Sequence, residues 1–313
     1  MVKRLILPVF ALILILFLGN FSEAQRTPRF RTEVDQVVVY ASVYDAEGNL
    51  VSGLTKDEFT LFEDKLEQQI TSFAQMDVPS TVGIVLDSSG SMRSKMPMVE
   101  EAMNLFLDQN NPENELYLVR FDDEVELEED FTQEVEDIRD AIGNVVIRGG
   151  TALYDAIYLS TEKSRHGNEP RRVVLIFTDG EDKDSFYTHE ELIDKVRESD
   201  TLVYIVAFLD SELSEKGGFF GVFKSQKSKI EEQINAIADE TGGKAFFPKE
   251  VSALNPIFES IAHDLKKQYR LAYISSNPEE NGEWRRIDVR LTSAKQKELK
   301  VRAKRGYYAE AED

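Results

Sequence analysis

Between residues 80 and 267, apolar runs of strand length alternate with segments of helical period, and this alternation restricts the fold more than any other feature of the chain. Val82–Leu86, Leu116–Phe121, Val173–Phe177 and Leu202–Leu209 are the strand-like runs. Ile230/Ile234/Ile237 and Ile257/Ile261/Leu265 repeat at helical spacing. A strand that is apolar at every position must be covered on both faces, and a mostly parallel sheet with helices on each side meets that need. The expected fold class is α/β: a doubly wound, mostly parallel sheet over residues 79–267, inserted into or flanked by a small all-β, sandwich-like unit.

The flanks carry the β signal. In segment 30–78, Val34 to Tyr44 is rich in Val and Tyr, and Asp45 to Asn49 reads as a turn. Phe59–Glu63 and Leu66–Phe73 flank the polar pair Asp64-Lys65, which predicts a hairpin. Segment 268–309 offers Tyr269/Leu271/Tyr273, Ile287/Val289/Leu291 and Leu299/Val301/Ala303, separated by turn-rich Ser276–Glu283 and Ser293–Lys297. At 49 and 42 residues, each segment is near the size at which a core fails without staples or a metal. Their charges are opposed: 3 Lys/Arg against 10 Asp/Glu in the first, 10 against 5 in the second. Both features point to one discontinuous β-domain made from the two ends. The competing reading is two separate appendages on the α/β core.

The first residues concern location. Lys3 and Arg4 precede an apolar run from Leu5 to Leu18, and Ser22-Glu23-Ala24 places small residues at the positions that matter for cleavage. This reads as a secretory signal peptide over residues 1–24. A run of 14 residues is short against the roughly 20 of a membrane span, and no later segment is apolar enough to cross. An uncleaved anchor is the competing reading. The expected location is exported, periplasmic or extracellular. With no Cys, the chain has no disulfide, zinc–thiolate site or thiol nucleophile. His166, His189 and His263 lie in different segments and read as surface residues, so a metal here is a hard cation on oxygen ligands. A net charge of −21 argues against nucleic acid and against an anionic lipid surface.

The chemistry-bearing residues sit where strands end. Val82-Gly-Ile-Val-Leu-Asp87 leads into Ser88-Ser89-Gly90-Ser91, an Asp-x-Ser-x-Ser spacing at the carboxyl end of a buried strand, where ligands bind in open α/β sheets. Gly149-Gly150-Thr151 precedes a helix, and Val173 to Phe177 runs into Thr178-Asp179-Gly180. Three loops at one edge of one sheet thus present Asp87, Ser89, Ser91, Thr151 and Asp179.

This set resembles the metal-ion-dependent adhesion site of the von Willebrand factor type A domain, a Rossmann-like fold also found as the inserted domain of integrins. The resemblance covers residues 79–267 and rests on the order and loop positions of those five residues. It implies that Ser89, Ser91 and Thr151 bind Mg²⁺ (or Mn²⁺) through hydroxyls, with Asp87 and Asp179 acting directly or through water. It further implies that the ion accepts a carboxylate from an Asp or Glu of a partner protein. The flanks, with Val51-Ser-Gly53-Leu54, Trp284-Arg-Arg286-Ile287 and Arg305-Gly306-Tyr307-Tyr308, are similar to those of exported bacterial proteins related to type A domains.

Each residue also has a plainer reading. Asp87 alone reads as a strand-end cap, Ser89 and Ser91 as turn formers, Thr151 as the N-cap of a helix over 152–164, and Asp179-Gly180 as a turn. Asp122 and Asp123, and most of Glu181, Asp182 and Asp184, read as solvated. A long loop over 210–228 carries Phe219, Phe220 and Phe223, which either meet a partner or tuck against the domain.

The function expected is a non-enzymatic, exported protein-binding module. The alternative is a scaffold or assembly component with a structural metal. A metal-assisted hydrolase is disfavoured: there is no Gly-x-Ser-x-Gly elbow, no His-Glu-x-x-His, no phosphate loop, and no His beside the motif to act as base.

Overall fold

The computed structural model describes residues 36–75, 78–209, 220–279, 281–292 and 298–309. The expected signal peptide, residues 1–24, lies outside them. Strand β1 (Gln36–Tyr44) buries Val39, Ala41 and Val43 on one face. β2 (Phe59–Glu63) and β3 (Leu66–Gln68) form a hairpin whose turn residues Asp64 and Lys65 both take positive φ, 47° and 73°, the mirror-type turn that matches strand twist. The expected second strand, Leu66–Phe73, is in fact two. Buried Gln68 exchanges two hydrogen bonds with Ser276, and the chain then leaves the hairpin as β4 (Ile70–Gln75), which joins a different sheet.

The α/β part follows as β5 (Ser80–Asp87), α1 (Met96–Asp108), β6 (Glu115–Phe121), β7 (Val125–Thr132), α2 (Val135–Gly143), α3 (Leu153–Ser164), β8 (Arg171–Thr178), α4 (His189–Glu198), β9 (Thr201–Ala207), α5 (Phe220–Thr241), β10 (Ala245–Phe246) and α6 (Leu254–Lys267). The sheet order is β10-β9-β8-β5-β6-β7, parallel except for β7. Successive side chains of β8 serve opposite faces: Val173, Leu175 and Phe177 pack with α1, α2 and α6, while Val174 and Ile176 pack with α3, α4 and α5. Cover on both faces is the reason the four sequence runs are apolar throughout. The fold is the mixed α/β, Rossmann-like class expected.

Two elements differ from expectation. β7 was not anticipated, because half of Val125–Thr132 is acidic; it is an antiparallel edge strand, and charge on such an edge discourages further pairing. The segment read as a loop over 210–228 is helical from Phe220 onward. Phe219 and the side chains of Phe220 and Phe223 lie outside what the structure describes, as does Ser293–Lys297.

The chain closes with β11 (Tyr269–Ile274), β12 (Trp284–Leu291), β13 (Lys300–Ala303) and β14 (Gly306–Tyr308). Two four-stranded sheets result, β13-β1-β11-β4 and β14-β12-β2-β3, and each mixes strands from the two ends of the sequence. Val39, Leu61, Tyr269, Leu271, Ile287 and Leu291 belong to the single apolar cluster these strands share. Buried Asp264 of α6 accepts hydrogen bonds from Ser42, Tyr44 (2.7 Å) and Tyr204 (2.7 Å), tying β1 and β9 to that helix. Glu63 plays a similar part for Tyr273 (2.7 Å) and Tyr307 (2.9 Å). Among the described residues no helix is long and apolar enough to cross a membrane.

Candidate metal centre

Asp87 is the last residue of β5 and is fully buried. Its Oδ1 accepts the Ser89 backbone N–H at 2.9 Å, and its Oδ2 accepts the Thr178 hydroxyl at 2.7 Å. Both carboxylate oxygens are therefore held in place. The Ser88 N–H (2.8 Å) and hydroxyl (3.0 Å) bind the Phe121 carbonyl and hook the loop to the end of β6. A short 3₁₀ turn over Gly90–Ser94 follows, pinned by fully buried Met92. Within it the Ser89 and Ser91 hydroxyls lie 3.1 Å apart, Ser89 buried and Ser91 exposed.

The Gly149-Gly150-Thr151 loop is clasped from three sides. Arg148 N–H donates to the Ser88 carbonyl (2.9 Å), Gly90 N–H to the Gly149 carbonyl (3.4 Å), and Ala152 N–H to the Asp122 carbonyl (2.6 Å). Gly149 has φ +71°, and a Cβ there would meet Asp123 Oδ1 at 2.0 Å, so side chains are excluded. Thr151 is 2% exposed; its N–H donates to Asp184 Oδ2 (2.7 Å) and its carbonyl accepts from Lys183 and Asp184.

Thr151 does not cap α3, contrary to one sequence reading: the N-cap position is Ala152, which makes no side-chain cap bond. The first-turn amides are met from the next loop instead, Tyr154 N–H by Asp182 (3.2 Å) and Ser185 (3.0 Å), and Asp155 N–H by Ser185 (3.2 Å). Asp155 in return accepts the Phe186 and Tyr187 amides, and this loop holds Phe186 85% exposed.

Asp179 follows β8 and is 7% exposed; Lys95 Nζ stands 3.8 Å from its Oδ2. Burial pushes the Asp87 carboxyl up to about 6, and the charge of Asp179 adds to this against the lowering pull of the Ser89 and Thr178 hydrogen bonds. A buried carboxylate whose proton affinity is raised by its own burial and by a neighbouring negative charge favours a cation beside it. Among the described residues no three His, Cys, Asp or Glu side chains converge as a metal group, so a cation here must draw on hydroxyl oxygens as well. Carboxylate and hydroxyl oxygens are hard donors of the kind Mg²⁺ or Mn²⁺ prefers.

Asp122 is not solvated as the sequence suggested. It is 1% exposed, accepts from Arg120 (2.6 Å), Arg148 (3.2 Å) and the Glu124 N–H (2.9 Å), and braces the Gly149 loop from below. Burial raises its proton affinity, but the Glu124 amide and the two guanidinium groups outweigh that and hold the carboxyl below the usual range. Thr178 was also missed as a functional side chain. Its only sequence signal is a hydroxyl immediately before a strand-end carboxylate. His166 and His263 are exposed and His189 is half-buried.

No curated protein matches the chain. Solved structures similar to it include a von Willebrand factor type A protein from Catenulispora acidiphila (12% identity, 90% of this chain and 75% of that one, TM-score 0.49). Another is the conserved hypothetical protein BatB from Bacteroides thetaiotaomicron (17% identity, 60% and 100%, TM-score 0.48). A third is proximal thread matrix protein 1 from the mussel byssus with a zinc-occupied MIDAS motif (17% identity, 65% and 50%, TM-score 0.49). The sequence model of the von Willebrand factor type A domain matches residues 82–181, a span that contains Asp87, Ser89, Ser91, Thr151 and Asp179. Through that segment, the chain carries a von Willebrand factor type A domain.

Proposed function

We propose that this protein is an exported, non-enzymatic binding module that captures an acidic residue of a partner protein through a divalent cation held by Asp87, Ser89, Ser91, Thr151 and Asp179. The observation that carries the reading is the immobilised Asp87 carboxylate, with the Ser89–Ser91 hydroxyl pair at 3.1 Å, beside a second buried carboxylate. Mg²⁺ or Mn²⁺ bound there supplies an electron-poor centre that takes a further anionic oxygen. The chain's own residues do the rest. Thr178 and the Ser89 amide orient Asp87, the loop contacts of Ser88 and Gly149 set the spacing, and Phe186 offers exposed apolar surface on the same rim.

A cation bridge also explains how an α/β segment with 20 Lys+Arg and 39 Asp+Glu (residues 79–267) would attract a carboxylate rather than repel it. Export rests on the signal-peptide pattern of residues 1–24. We read the two terminal β segments as one discontinuous domain, and the mixed strand order of both sheets supports this.

The test is calorimetry of the mature chain with Mg²⁺ and Mn²⁺, followed by pull-down of envelope proteins in Mg²⁺ against EDTA. Metal uptake that Asp87→Ala abolishes, together with EDTA-sensitive capture, is the expected result. Absence of metal uptake sinks the reading.

A further inference from the structure

The amino-terminal edge of the parallel sheet meets the outer face of the β1–β11 sheet around a cavity of about 210 Å³. Val38 and Tyr40 of β1 enter it from one side, their neighbours Val39 and Ala41 having turned into the apolar cluster on the other. Arg270 lies directly opposite Tyr40 in the β1–β11 register and lines the same wall. Leu202 and Arg172, from the starts of β9 and β8, complete the side toward the parallel sheet. Arg172 stands near one end of β8 and Asp179 beyond the other, roughly 20 Å apart at strand rise, so this cavity is separate from the metal centre.

Six charged side chains line it, and four are paired. Lys304 Nζ lies 2.5 Å from Asp200, and Arg197 Nε lies 3.0 Å from Glu240. Among the described residues, Arg172 and Arg270 make no side-chain hydrogen bond or ion pair, and Arg172 Nε is a buried donor without a partner. Buried guanidinium donors are normally satisfied, and a planar carboxylate is the acceptor their fork geometry fits. The remaining wall is largely apolar, and the hydroxyls of Ser199, Thr201 and Thr241 are already engaged by the Val196 carbonyl, Ser164 and the Ala238 carbonyl, which suits an organic body better than inorganic phosphate. The volume is below the roughly 300–1,000 Å³ of sites for drug-sized ligands, which favours a small free acid over a protein segment.

We propose that this cavity binds a small organic acid, with the carboxylate held by Arg172 and Arg270 and the apolar body laid against Val38, Tyr40 and Leu202.

The test titrates the full chain with hexanoate by calorimetry, with hexanol as the uncharged analogue and N-acetyl-leucine as a mimic of a peptide end. Hexanoate should bind at least about 10-fold tighter than hexanol and tighter than N-acetyl-leucine. Arg172→Gln and Arg270→Gln should each weaken hexanoate about 10-fold and leave hexanol unchanged, the scale of one lost charge-assisted bond. Val38→Trp, which fills the cavity without touching a charge, should remove binding of both. Melting curves establish that each variant is folded, and Val38→Trp keeps the test decisive if an arginine variant is not. Equal affinity for hexanol, hexanoate binding indifferent to both arginines, or tighter binding of N-acetyl-leucine would each overturn the assignment.

Discussion

The Thr178 hydroxyl donates to Asp87 Oδ2 at 2.7 Å, so the end of one strand aims the carboxylate at the end of its neighbour. Orienting partners of metal ligands typically carry 10–100-fold of affinity. Thr178→Val, which keeps the shape and removes the donor, is expected to weaken Mg²⁺ uptake by about 10-fold or more, with Thr178→Ser retaining most of it. Calorimetry on the two variants checks this; equal weakening in both would mean that packing, not the hydrogen bond, matters.

Metal and melting should be coupled through Asp87. A ligand present at 100 times its dissociation constant stabilises the native state by about 2.7 kcal/mol. Saturating Mg²⁺ should therefore raise the melting temperature of the wild type. Asp87→Asn should erase that rise, while in EDTA it melts no lower than wild type, because it removes a buried charge facing Asp179. A large loss of stability in EDTA would favour the scaffold alternative.

Asp122 should be a stability residue rather than a ligand. Removing one partner of a buried ion pair costs about 3–5 kcal/mol. Asp122→Ala is expected toward the lower end of that range, since Arg120 keeps Glu126 and Glu128. Urea unfolding measures the loss, and a change below ~1 kcal/mol would refute the bracing role.

Alkaline pH should unfold the protein before its buried tyrosines ionise. Burial, then the Asp264 carboxylate, raises Tyr44 and Tyr204 well above the ordinary tyrosine value; burial, then Glu63, does the same to Tyr273. A raised native pKa gives stability that is whole below the unfolded value near 10 and is lost as pH climbs through the native one. Tyrosinate absorbance and far-UV circular dichroism should thus change together above pH 10. Tyr154, pushed up to about 12 by burial and then by Asp182, belongs to the same late group. Smooth titration of every tyrosine in a folded chain would contradict the burial of these phenols.

Phe186 offers a separate handle on partner capture. At 85% exposure it contributes little to the fold, so Phe186→Ala should leave unfolding within ~0.5 kcal/mol of wild type. Retention of envelope partners in Mg²⁺ should fall all the same. Unchanged retention would place the contact surface elsewhere on the rim.

The residues themselves made much of this architecture legible. Runs such as Val173–Phe177 need cover on both faces, and the helical spacing of Ile257, Ile261 and Leu265 supplies part of it. The loops bearing Asp87, Ser89, Ser91, Thr151 and Asp179 could be found because strand ends and short-range spacing are local properties. Local pattern failed where a long-range contact decides. An acidic edge strand such as Val125–Thr132 looks like a solvated loop until β6 pairs with it. Asp122 looks solvated until Arg120 and Arg148 enclose it, and Thr151 looks like a cap until Asp182 and Ser185 take that task. The sequence by itself determined the buried parallel strands β5, β6, β8 and β9 and the helical spacing of segments that cover them, because periodicity and apolar burial act over a few residues. Only the tertiary structure decided that Thr178 holds Asp87 and that Arg172 and Arg270 share a cavity, because partners 91 and 98 positions apart are chosen by packing and leave no mark in the local chain.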